Sequence, residues 1–260
     1  MNHPRVHLIY FSPTGTTRQT LNAIAKGFNP AGVNHFDLTF PSAQAEQHLV
    51  DGVAVLGVPV YAGRVPKDFL ARMAHYTAED VPTVLVALYG NREFEDALVE
   101  LRDVVIPRGF KVIAAGAFIG EHSYATPQRP IAAGRPNAED LKFAVAFGQK
   151  VAAKMTANDF SLPEIAGNVP YRERVNFGGV APETDGETCI LCGRCAEVCP
   201  VQVVSVTRAV VTRAENCIMC CACVKSCPTG ARRFDHPLIE EKREMLARNC
   251  ATAKAPRVFL

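Results

Sequence analysis

Four largely apolar runs of strand length recur along the first 155 residues, at 6–12 (VHLIYFS), 52–58 (GVAVLGV), 83–89 (TVLVALY) and 110–119 (FKVIAAGAFI). Runs without polar alternation fit strands covered on both faces, as in a parallel sheet. A weaker run at 33–38 (VNHFDL) fits a strand nearer an edge. Helical spacing fills the intervals. Leu21, Ile24, Ala25 and Phe28 share one face, as do Phe94, Ala97, Leu98 and Leu101. A longer stripe runs through Leu141, Ala144, Val145, Gly148, Val151, Ala152 and Met155. Five strands joined by crossover helices predict an α/β domain over residues 1–155, built on an open, doubly wound, five-stranded parallel sheet.

Periodicity fades over residues 156–185, where Pro, Gly and Asn accumulate. This stretch reads as a linker that packs on a domain, because it keeps Leu162, Ile165, Val169 and Phe177. A small module follows over 186–236, and residues 237–260 form a C-terminal helix and tail. The module is defined by cysteine. Of ten cysteines none precedes Cys189, and all but Cys250 fall between Cys189 and Cys227. A secreted scaffold spreads disulfides through its fold, whereas clustered thiols in a cytosolic chain more often bind metal.

The module repeats itself. CILCGRCAEVCP (189–200) and CIMCCACVKSCP (217–228) both read C-x2-C-x2-C-x3-C-P. In this pattern the first three thiolates curl around one iron–sulfur cubane, and the fourth, before proline, ligates the other. Cys189, Cys192, Cys195 and Cys227 are therefore expected to hold one [4Fe–4S] cluster, and Cys217, Cys220, Cys223 and Cys199 the second. Structural zinc sites instead pair two C-x2-C knuckles separated by a dozen or more residues, which is not this layout. Cys221 stands where the first repeat has Gly193, so it reads as a small packing residue. Cys250 reads as structural. The two motifs resemble the bacterial two-[4Fe–4S] ferredoxins over about 45 residues, implying a small α+β two-cluster domain.

The loop after the first strand, FSPTGTTRQT, sets Ser12, Thr14, Gly15, Thr16 and Thr17 at a helix N-terminus, where small hydroxyls and free amides suit a phosphate. It is neither a Walker A loop nor a G-x-G-x-x-G fingerprint. Ligands of doubly wound sheets bind at the carboxyl ends of the strands. Two further loops fall there, PVYAGRVP (59–66) and YGNREFED (89–96), each with a glycine, an aromatic and an arginine. A phosphate cradle beside two loops suited to a flat ring points to FMN.

The S-x-T-G-x-T motif and this loop order resemble the flavodoxins over roughly residues 5–155. With the cysteine module attached, the chain resembles the flavodoxin–ferredoxin fusion proteins common in anaerobes. The resemblance implies that residues 12–17 bind the FMN phosphate. It implies that Pro59, Val60, Tyr61, Ala62, Gly63 and Arg64, with Tyr89, Gly90, Asn91, Arg92, Phe94 and Asp96, flank the isoalloxazine. Tyr61, Tyr89 and Phe94 are the candidates for stacking, and Arg64 and Arg92 for a cation near its reduced form. The chain departs from flavodoxins in having no Trp and a net charge of +2 rather than strong acidity.

That weak charge argues against nucleic acid as a partner. No apolar run is long enough to insert in a membrane and no signal pattern opens the chain, so a soluble cytoplasmic protein is expected. Two functions follow. One is an electron-transfer flavoprotein serving an external redox protein. The alternative is an FMN-dependent reductase of a small molecule, with His122 or Tyr124 donating a proton.

Overall fold

The computed structural model describes residues 3–41, 46–175 and 178–260. Its centre is a sheet of β1 (Arg5–Tyr10), β2 (Gly32–Asp37), β3 (Val53–Pro59), β4 (Val81–Tyr89), β5 (Phe110–Ile119) and β6 (Arg257–Phe259), in the order β2-β1-β3-β4-β5-β6. The first five strands are parallel, and the order 2-1-3-4-5 is that of the flavodoxin-like fold. β6 joins antiparallel at the β5 edge, pairing Arg257 with Ala117 and Phe259 with Ala115.

Each face of the sheet is covered, which is why its strands carry no polar alternation. On one face α1 (Thr16–Gly27) and α4 (Ala138–Thr156) pack over Val6, Leu8, Val55, Val84 and Ile113. Two glycines let these helices cross closely. A Cβ on Gly148 would stand 2.1 Å from the Ile24 carbonyl oxygen, and one on Gly27 would stand 2.3 Å from that of Val145. α4 starts on a capping box, in which Asn137 accepts from the Asp140 amide and Asp140 accepts from the Asn137 amide. On the other face α2 (Lys67–Met73) and α3 (Ala97–Val105) cover Ile9, Leu56, Leu85 and Ala115. Between them a short parallel pair, Gln47–Leu49 with Tyr76–Ala78, extends this side.

The linker packs along α3 by polar clamps more than by its apolar residues. Ile165 is buried, but Leu162 and Val169 are exposed, and Phe177 lies outside the described residues. Asp96 accepts hydrogen bonds from the amides of Asn168 (2.8 Å) and Arg172 (2.7 Å), and Tyr171 donates to Asp103. The cysteine module follows, with α5 (Arg194–Glu197), a hairpin of Val204–Val206 and Val210–Thr212, and α6 (Ala222–Lys225). Its ends are tied by Glu183–Thr184 pairing with Arg232–Arg233. α7 (Pro237–Asn249) then docks Leu246 and Cys250 against Ala125 and Ile131.

Candidate functional site

The two cysteine motifs fold as twins. α5 and α6 begin at equivalent positions, Arg194 and Ala222. Three left-handed residues recur in the same register: Leu191 and Met219 (φ 52° and 53°), Gly193 and Cys221 (80° and 59°), Gln202 and Gly230 (53° and 68°). These reversals wrap the backbone into two concave cups. Cys221 thus occupies a position that favours glycine. Its side chain is buried with Val180, Phe234 and Ile239, so it packs the floor of the second cup. All ten cysteines are free thiols.

Cys199, Cys217, Cys220 and Cys223 line one small cavity, with the spare Cys221 also on its wall beside Pro200, Val203, Ile218 and Arg232. The four thiols come from both motifs, as the interleaved pattern requires. Among the described residues no three Cys, His, Asp or Glu side chains converge on a single-metal site. Amides already point at the sulfurs. Val203 donates to Cys199 Sγ, Met219 to Cys217 Sγ and Arg232 to Cys227 Sγ, each at 3.4 Å. The thiols of this cavity fit an iron–sulfur cluster.

Burial pushes the Cys220 thiol strongly up, and raises Cys195, Cys217 and Cys223 as well. Cys227 moves the other way, because bonds from Arg232 and Thr229 outweigh its desolvation. Exposure separates the two cups. In the first motif Cys192 is exposed beside Ile190 (65% exposed) and Leu191 (43%) although Cys195 is buried, whereas in the second both Cys220 and Cys223 are buried.

The second motif is bolted to the sheet. Ile218 packs against the core on the α2–α3 face. Lys225 pairs with Glu121 and donates to the Ala125 carbonyl (3.0 Å). Tyr124, in the loop after β5, places its ring edge-on to Phe234 and its hydroxyl 3.9 Å from Met219 Sδ. Tyr61 lies against the same motif. Burial, with Cys220, Cys221 and Tyr124 adding, holds its phenol well above its usual value.

At the carboxyl ends of β1, β3 and β4 the three predicted loops come together. Gly15 turns at φ 82° and caps α1 without a side-chain bond, and its amide donates back to the Ser12 carbonyl (3.0 Å). Ser12 Oγ accepts from the Arg18 amide, and Thr39 Oγ1 accepts from the Ser12 amide (2.8 Å). The amides of Thr14, Thr16 and Thr17 donate no hydrogen bond to the described residues. A Cβ on Gly15 would meet nothing within 4 Å. The loop is a shaped set of donors with space before it, which fits a phosphate.

The other two loops differ from expectation. Tyr61 and Arg64 pair across a tight turn with Ala62 and Gly63 at positive φ. Arg64 does not reach toward a ring site. Its Nε and Nη2 grip Glu100 at 2.8 Å, beneath Tyr171. Arg92 likewise forks onto Glu95 (2.9 and 2.6 Å). Tyr89 and Phe94 are buried in the core against each other, and burial raises the Tyr89 hydroxyl to about 12. Asn91, also buried, donates to the carbonyls of Cys250 and Thr252 and accepts from the Lys254 amide. Asp96 holds the linker. Thus Tyr61 faces the cysteines, while Arg64, Arg92, Tyr89, Phe94, Asn91 and Asp96 are engaged within the fold.

His122 stacks over Gly90, where any Cβ would come within 2.4 Å of its ring. Burial lowers it to about 4, with Arg92 and Lys225 adding, so it is neutral near pH 7. Its Nδ1 accepts from the Tyr124 amide. Arg72 and Arg232, both buried, were not legible as site residues, since an isolated Arg carries no motif. Their partners come from distant segments.

Residues 181–228 match the 4Fe-4S dicluster domain family. Solved structures similar to the sheet domain include a flavodoxin from the domain Archaea, 14% identical, covering 58% of this chain and 99% of that chain with a TM-score of 0.38. Fusobacterium nucleatum flavodoxin bound to flavin mononucleotide is 14% identical, with 60% and 98% covered and a TM-score of 0.39. The rubredoxin oxygen:oxidoreductase of Desulfovibrio gigas is 12% identical, with 60% and 37% covered and a TM-score of 0.39. No curated protein matches. Among the described residues no helix is long and apolar enough to cross a membrane.

Proposed function

We propose, for a chain that joins a flavodoxin-like sheet domain to a 4Fe–4S dicluster domain, an electron-transfer iron–sulfur flavoprotein that relays electrons between two [4Fe–4S] clusters, FMN and an external redox protein. When bound, each cluster supplies one-electron transfer and the flavin one- or two-electron transfer. The observation that carries this reading is the cavity lined by Cys199, Cys217, Cys220 and Cys223, with Tyr61 of the loop after β3 beside Cys220.

In this reading Cys189, Cys192, Cys195 and Cys227 hold the outer cluster. The exposed Cys192, Ile190 and Leu191 form the face that a redox protein would meet. Cys217, Cys220, Cys223 and Cys199 hold the inner one. The free amides of Thr14, Thr16 and Thr17 bind the phosphate of FMN, and Pro59, Val60 and Tyr61 border its ring. Arg72 and Lys225 fix the distance between the two modules. His122, half-buried over Gly90, is neutral near pH 7.

The test is an anaerobic absorption spectrum of the purified full chain with iron, sulfide and flavin analysis. The paired motifs call for about eight iron and eight sulfide per chain. The flavin should be FMN rather than FAD, because the cradle serves one phosphate. Stoichiometric zinc with neither iron nor flavin would overturn the proposal.

A further inference from the structure

Arg232 is a buried cation without an ion-pair partner. Its side chain is 3% exposed, and no carboxylate pairs with it among the described residues. Neighbouring Arg233, by contrast, pairs with Asp185. Arg232 donates through Nη1 to Thr184 Oγ1 (2.7 Å), and through Nη2 to Thr212 Oγ1 (3.1 Å) and Cys223 Sγ (3.7 Å). Its Nε is buried with no hydrogen-bond partner. The same residue's backbone amide donates to Cys227 Sγ. One residue therefore touches a thiol of each proposed cluster; its guanidinium donates to Cys223 on the wall of the inner cavity and also lies near Cys195 of the outer set.

An unpaired guanidinium in a low-dielectric interior is costly. A cubane held by thiolates is an anion, and taking up one electron makes it more negative. A fixed cation beside it stabilises the reduced form more than the oxidised form. We infer that Arg232 is the counter-charge of the inner cluster and sets its reduction potential above that of the outer one. Electrons would then settle on the cluster nearer the flavodoxin-like domain. This inference rests on the cluster assignment above.

The experiment is a reductive titration of the anaerobically purified full chain with dithionite, followed by electron paramagnetic resonance. Wild type, Arg232→Gln and Arg232→Lys are compared, with iron and sulfide measured on each. In Arg232→Gln the more positive reduction wave should lose at least about tenfold in its equilibrium constant, about 59 mV for one electron. The other wave should shift less. Arg232→Lys, which keeps the charge, should recover most of the loss. If Arg232→Gln fails to retain iron while Arg232→Lys keeps it, the counter-charge is supported by that route. Unmoved waves in an iron-replete Arg232→Gln, or loss of iron from both variants, overturn this inference alone. Absence of iron and sulfide from the wild-type chain overturns the cluster assignment and this inference with it.

Discussion

Arg72, on α2 of the sheet domain, donates a 2.8 Å hydrogen bond to the carbonyl oxygen of Pro200, the residue after Cys199. Its other terminal nitrogen donates to the carbonyls of Leu38 (2.8 Å) and Thr39 (2.7 Å), and its guanidinium lies over the Phe11 ring. One buried side chain thus bolts the end of the first cysteine motif, beside Cys199, to the sheet. Arg72→Met should cost about 2–4 kcal/mol, because three buried carbonyls lose a charged donor. Limited proteolysis should then cut at the borders of the cysteine module before the rest of the sheet domain. An unchanged urea midpoint would contradict this.

The linker clamp should be acid-sensitive. Burial alone would raise Asp96, but the amides of Arg172 and Asn168 and the Asn168 side chain hold it below the usual carboxylate value. A depressed folded value contributes stability that is complete above the unfolded pKa of about 3.9. It is lost as pH falls through the folded value. Hydrogen exchange at residues 165–174 should accelerate only in that acid window. Asp96→Asn should make exchange there fast at neutral pH too. Equal exchange in both proteins at pH 7 would rule the clamp out.

Arg64 and Arg92 should not tune a bound flavin, since Glu100 and Glu95 neutralise them. Glu100 also accepts from the Val65 amide (2.8 Å) and pairs with Arg174. Arg64→Gln should leave the flavin potential unchanged in spectroelectrochemistry, yet destabilise the chain by about 1–3 kcal/mol, because buried Glu100 loses one of its two arginines. A fall in potential without loss of stability would restore the alternative.

The spare cysteine gives a sharper contrast. Cys221→Gly should keep its iron, because φ 59° suits glycine and the thiol lies outside both proposed ligand sets. Cys199→Ser should lose roughly half the iron, that of the inner cup, since the interleaved pattern lends its thiol there. Iron analysis on both variants decides between them.

Much of this was legible in the chain itself. The four buried strands showed as apolar runs because both sheet faces are covered, and the cysteine spacing encoded the twin cups directly. Seven-residue α2 was too short to show a period, and β6 is three residues whose pairing exists only across the sequence. The ring loops misled for a related reason. Composition placed Arg64 and Arg92 in the right loops, but their direction depends on Glu100 and Glu95, and on a linker whose position only the fold reveals.

β6 carries a consequence for how the two modules are connected. Because Arg257–Phe259 returns to the β5 edge, the cysteine module is topologically an insertion within the sheet domain rather than a pendant after it. The β5 edge of the parent sheet is covered by a segment that lies beyond the cluster-binding residues. Any cleavage between them would strip a strand from the sheet and leave the β5 edge open to pairing with another chain. Assembly of the redox module and closure of its host are therefore one topological event, and a swap of ferredoxin modules would have to preserve both splice points.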